Sequence, residues 1–216
     1  MNYTIKMFLK FGSLENITDL YKEGTIYMNT VEYFRCLEKD KQRGDGYEGA
    51  SEVINSLPGT FKIKESDQEF KYEKVHIKSQ YETILGNLYC LYCISDHGFP
   101  NLLDFKMDKR NMDFGSHCLV IKDNAYFFKR IQEELKNQNW EYKHGFVEYY
   151  NKNEVSKKLT IFDKPDEFEY QKEFRFYVKN NKLNPIKIQI GSLEKYSEIL
   201  KIEDIMKIET KLLSKQ

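Results

Sequence analysis

The chain has 216 residues in which 34 Lys and Arg balance 34 Asp and Glu, so its formal net charge is zero. A protein that grips extended nucleic acid carries a basic excess to neutralise phosphates, and none exists here without local segregation of charge. With 40% hydrophobic and 15% aromatic residues the chain can build a core, while its mean hydropathy of −0.69 describes a soluble protein with no run near the ~18 apolar residues of a membrane span.

Lys6, Lys10, Glu15 and Asp19 interrupt every apolar run of the opening MNYTIKMFLKFGSLENITDL, which is therefore no secretory leader. Four cysteines in such a chain imply reduced thiols and a cytoplasmic location. The palette is rich in Lys, Ile, Asn, Tyr and Phe, with Ala only at Ala50 and Ala125. It marks an AT-rich genome, as expected of a low-GC bacterium or its phage.

Residues 3–11 predict a strand. GSLENITDLYKEG predicts a short helix with Ser13 as N-cap, Leu14, Ile17 and Leu20 inward, and Gly24 at its end. TIYMN reads as a strand, and TVEYFRCLEKD as a helix with Val31, Phe34 and Leu37 inward. The glycine-punctuated KQRGDGYEGAS is a loop. From 59 to 95 the pattern is β, in GTFKIKES, EFKYEKVHIKS and GNLYCLYCIS, and SHCLVIK is a further strand.

DNAYFFKRIQEELKNQN is the clearest helix, capped by Asp123 or Asn124, with Phe127, Ile131 and Leu135 on one face. WEYKHGFVEYY, KEFRFYV and PIKIQIG supply late strands, and SLEKYSEIL a closing helix. GSLE occurs at Gly12–Glu15 and again at Gly191–Glu194, read as two equivalent helix starts. The expectation is one α+β domain over 1–216, with mixed or antiparallel sheets, a cleft between two packed sheets, and a few short helices. Too few helices are present for a doubly wound parallel fold.

Cys90 and Cys93 have C-x-x-C spacing, but on a strand residues three apart face opposite sides, so no metal site is assigned. Glu69 and Lys71 match a nuclease acid-x-Lys pair that a Glu- and Lys-rich chain produces by chance, which leaves a metal-dependent nuclease as a third reading. P-loop, dinucleotide-binding and nucleophile-elbow motifs are absent from the sequence.

Two clusters carry possible chemistry. In the first, Arg43, Asp45 and Glu48 lie on a loop with glycines at 44, 46 and 49, where Arg43 offers a bidentate donor to phosphate or carboxylate. The second is EYQKEFRFYVKN, residues 169–180. Read as a strand, it sends Phe174, Phe176 and Val178 to one side and Gln171, Glu173, Arg175 and Tyr177 to the other. Either that second face is wet and ordinary, or it lines a pocket.

The segments Gly24–Asn29, Tyr33–Arg35, Asp45–Glu48, LYCLYCIS, GSHCLVI and YQKEFRFYV together resemble a broad family of uncharacterised bacterial and phage proteins. The family's W-x-x-Y is replaced here by NMDFGSHC. The order of strand, short helix ending in Gly, aromatic strand and helix, and late Q-x-E strand also resembles the ADP-ribosyltransferase superfamily.

That second resemblance implies NAD as a substrate bound in a cleft between sheets, with Glu173 of Gln171-Lys172-Glu173 as the catalytic carboxylate. Arg43 or Arg175 would hold the pyrophosphate, and Tyr27, Tyr33 or Phe34 would stack on nicotinamide. The first-strand His or Arg of the superfamily has only Lys10 near its place. The competing reading is a non-enzymatic protein that inhibits or sequesters a component of bacterial defence. The partners expected are therefore a small nucleotide or a bacterial protein, with no membrane and with self-association allowed by the Tyr- and Phe-rich composition.

Overall fold

The structure, a computed structural model, describes residues 3–37, 46–101, 103 and 105–208. The first part of the chain forms β1 (Ile5–Gly12), α1 (Leu14–Glu23), β2 (Thr25–Thr30), α2 (Val31–Cys36), β3 (Ala50–Ser56), β4 (Gly59–Lys62), β5 (Glu69–Tyr72), β6 (Val75–Gln80) and β7 (Asn87–Ser95). β8 (His117–Ile121), α3 (Asn124–Asn137), β9 (Tyr142–Phe146), β10 (Glu148–Tyr150), β11 (Lys157–Lys158) and β12 (Asp163–Pro165) follow. The chain ends in β13 (Glu173–Val178), β14 (Ile186–Gln189), β15 (Ser197–Lys201) and α4 (Ile202–Ile205). Short 3-10 helices cover Lys109–Phe114 and Asp166–Gln171. The class is α+β with several antiparallel sheets, as expected.

The cleft arises from a split inside one eight-stranded sheet. β7 is its central strand. β13 pairs along one edge of β7, from Glu173 opposite Tyr92 to Val178 opposite Asn87. The other edge is shared in turn by β1, which reaches Leu9 opposite Tyr92, and β2, which pairs Asn29 with Leu88 and Thr30 with Asn87. Between them Tyr89, Cys90 and Leu91 have no strand partner on that edge. β1 leaves to follow β8, itself bordered by β15, and β2 leaves to follow β14.

The connection across the gap is α1. Ser13 caps its start by accepting from the Asn16 amide, and Gly24 closes it at φ 66°. A Cβ at Gly24 would stand 2.1 Å from the Gly191 carbonyl oxygen, so both the left-handed backbone and the close approach of β2 to the chain after β14 require glycine there. Ile17 and Leu20 are buried as expected, whereas Leu14 is half exposed because the cap turns it outward.

One face of the sheet is the main core. Phe174, Phe176 and Val178 of β13 pack there with Phe8, Leu119 and Ile121, beneath Phe127, Ile131 and Leu135 of α3. α3 is capped by Asp123, which accepts from the Tyr126 amide. A second core groups Leu9, Tyr92, Ile94, Phe105 and Ile205.

The expected closing helix is absent. Residues 194–196 turn, and Ser197–Leu200 extend the sheet along β8 before α4 begins. The strand wins because β8 offers an open ladder edge, so the second GSLE starts no helix. β3, β6 and β11 make a three-stranded sheet, and the β4–β5 ribbon continues the β3–β6 hairpin as an isolated pair. No helix of the described residues is long and apolar enough to cross a membrane.

Candidate functional site

The split opens a cleft of about 770 Å³. Its floor is the unpaired edge of β7, its walls are the diverging halves of β1 and β2, and α1 lies behind. Lys10 from β1, Tyr27 from β2, Tyr33 and Phe34 from α2, Glu48 from the turn before β3, and Gln171, Glu173 and Arg175 all line it. Arg43 and Asp45 lie outside the described residues.

The polar face of β13 is neither wet nor ordinary, because Glu173 is 9% exposed, Arg175 1% and Glu48 3%. Arg175 donates from Nη1 and Nη2 to the two Glu48 carboxylate oxygens, each at 2.8 Å, and from Nε to Glu173 Oε2 at 2.7 Å. Nη1 also reaches the Ile161 carbonyl oxygen at 2.6 Å. Lys164, 4% exposed, donates to Glu173 Oε1 at 2.8 Å and to Gln171 Oε1 at 2.6 Å. Glu48, Arg175, Glu173 and Lys164 thus alternate in sign, so the buried row is neutral in sum.

This bonding corrects two expectations. Every guanidinium nitrogen of Arg175 already donates within the protein, so the residue offers no open fork to a pyrophosphate. Its geometry instead fixes two carboxylates. Gln171 belongs to the 3-10 helix rather than the strand, since Lys172 adopts φ 40° and breaks the extended run. Lys164 was not singled out by sequence. Among so many lysines only its place on β12, paired with β10 and within reach of Gln171 and Glu173 at the cleft, distinguishes it.

Burial is the largest single influence on Glu173 and pushes its carboxyl up. Arg175 and Lys164 together pull harder the other way, and the net is a carboxyl held well below the usual range. Burial likewise opposes the charge of Arg175, yet Glu173 and Glu48 raise its pKa well above the ordinary value. The Tyr149 hydroxyl accepts from the Glu173 amide at 2.9 Å and anchors the start of the strand. The lining of the cleft therefore includes a fixed carboxylate whose pKa Arg175 and Lys164 hold low. Two of its acceptor positions are taken by cations, and others remain for a ligand hydroxyl.

The rim is aromatic and cationic. Tyr27 and Tyr33 are 47% and 44% exposed, and Lys187 stands 5.7 Å above the Tyr27 ring. Lys10 crosses the gap to donate to the Cys90 carbonyl oxygen at 2.8 Å and lies 4.3 Å from the centre of the Tyr89 ring. Cys90 lines the cleft while Cys93 faces the opposite core. Burial pushes the Cys90 thiol up to about 12, which makes it a poor nucleophile.

Among the described residues no group of three His, Cys, Asp or Glu is placed to hold a metal ion. Glu69 and Lys71 sit exposed on the β4–β5 ribbon and do not line the cleft. No family model, no curated protein and no solved structure matches this chain.

Proposed function

We propose that the cleft binds a nucleotide of the NAD type and that Glu173 serves ADP-ribosyl transfer from it. The observation carrying this reading is convergence: residues from β1, β2, α2, the turn before β3 and β13 meet in one cavity whose lining includes a carboxylate held at low pKa. The volume lies within the range of small-molecule and cofactor sites. Tyr27, Tyr33 and Phe34 provide ring faces, and Lys10 and Lys187 provide positive charge for phosphates.

In the reaction the bond between ribose C1′ and the nicotinamide nitrogen breaks, and its electron pair leaves with nicotinamide. Glu173 faces the oxocarbenium-like charge that develops. An acceptor nucleophile then bonds to C1′ and gives up its proton. Calorimetry with NAD and ADP-ribose, followed by chromatography of released nicotinamide, tests the proposal. Glu173→Gln should retain most of the binding and lose release. Absence of binding by the wild type would sink it.

A second reading, a non-catalytic module that binds a bacterial protein, draws on the β4–β5 ribbon. Phe61 and Phe70 there are 54% and 55% exposed and pair directly, and Leu57, in the connection leading into the ribbon, is 84% exposed. Exposed apolar clusters of this kind suit protein contacts. On this reading a Phe61→Ser, Phe70→Ser double variant loses activity in the cell and Glu173→Gln does not.

A further inference from the structure

The strands β4 and β5 pair only with each other, so the outer edge of each is open among the described residues. An open edge offers its backbone groups to another chain, and natural proteins ordinarily blunt it. One bond decides which groups point outward on β5. The Ile63 amide donates to the Gln68 carbonyl oxygen at 3.1 Å, which makes these two residues a hydrogen-bonded pair. Two residues further along, Phe61 and Phe70 repeat that pairing, so the peptide groups of Glu69 and Lys71 face away from β4.

The side chains alternate in the same way. Phe61, Phe70 and Tyr72 share one face of the ribbon, with the Phe61 and Tyr72 rings 4.6 Å apart. Glu69 and Lys71 share the other face, and both are exposed.

We propose that this edge binds a second copy of the chain, β5 against β5, around a two-fold axis through Phe70. In that register Glu69 of each copy lies opposite Lys71 of the other, and their outward peptide groups exchange backbone bonds on both sides of the axis. The two Phe70 residues form the non-hydrogen-bonded pair between them, where side chains approach most closely. Lys62 stands opposite Glu69 on β4, so each Glu69 lies between a Lys of its own chain and one of the second copy. The product is a four-stranded sheet in the order β4, β5, β5, β4.

Charge selects both the register and the occupant. Moving the axis by one residue sets Glu69 against Glu69 or Lys71 against Lys71, and like charges directly opposite destabilise a pair. Moving it by half a residue opposes an outward peptide group to an inward one. The β4 edge has no equivalent register. Lys62 is its one charged residue, and Pro58, two residues before Thr60, lacks an N–H to extend that edge. The inference goes beyond nucleotide binding and does not depend on it, since Glu69 and Lys71 lie outside the cleft.

Sedimentation velocity of the full chain from micromolar to millimolar concentration tests the proposal, because so short an interface is weak. The expected result is a mean mass that rises toward twice 25.9 kDa and no further. Glu69→Lys and Lys71→Glu should each abolish the rise, since each sets like charges opposite on both sides of the axis. Mixed in equal amounts, the two variants should associate again, because every cross-pair is then a Lys against a Glu. That recovery, with melting curves of each variant, separates lost pairing from lost folding. A monomer at every concentration overturns the proposal. So does a dimer that the single reversals leave intact, or a mass that climbs past the dimer, the mark of open head-to-tail pairing.

Discussion

The two faces of β13 bury their side chains about equally and do so by opposite means. On one, Phe174, Phe176 and Val178 fill the space under α3 by shape. On the other, Glu173 and Arg175 are equally dry, but each is held by named partners. Shape is forgiving, since a core accepts an exchange of similar volume. A buried row of alternating charges is not, because removing one member strands its neighbours. The first face is a device for stability and the second a device for holding a carboxylate still.

Breaking the ionic face has the largest expected effect. Arg175→Met leaves Glu48 and Glu173 buried without their cation and should cost about 3–5 kcal/mol in chemical denaturation. A loss below ~1 kcal/mol would mean that the two faces do not differ as described. Arg175→Lys keeps the charge but loses the fork onto Glu48, and should recover only part of that loss. Phe176→Leu on the other face should cost less than ~1.5 kcal/mol.

Acid sharpens the contrast further. Glu173 has a folded pKa below its unfolded value, so its contribution to stability is present above the unfolded pKa, about 4.3, and disappears as pH falls toward the folded pKa. The wild-type denaturation midpoint should drop as pH goes from about 5 to 3, and the Glu173 part of that drop should vanish in Glu173→Gln. An unchanged slope in the variant would assign the acid sensitivity elsewhere. The smallest effect is expected outside both faces. Phe61→Ser on the exposed ribbon should alter stability by no more than about 0.5 kcal/mol in the same assay.

Local signals were legible in the sequence. Ser13, Gly24 and Asp123 cap the helices where their chemistry predicts, and the 3.6-residue spacing of Phe127, Ile131 and Leu135 matches the buried side of α3. Alternation separated the faces of β13 correctly. What could not be read was distance: Glu48 and Arg175 are 127 residues apart, and no local rule brings them together. The run before Glu173 read as strand because nothing in its letters announces the left-handed turn at Lys172. Residues 192–200 read as helix because an amphipathic segment also fits an open sheet edge, and β8 supplied one to Ser197–Lys201.

The break in pairing along β7 also bears on how the protein exchanges its amide hydrogens. A central strand is ordinarily the slowest part of a sheet to exchange, protected until the molecule opens globally. Alternation along β7 turns the Cys90 peptide group toward the gap, where its carbonyl meets Lys10 and its N–H has no opposing strand. The middle of the most interior strand should therefore exchange faster than its two ends. A ligand lying along that edge would slow this single position, giving a backbone reporter of occupancy that needs neither turnover nor a label.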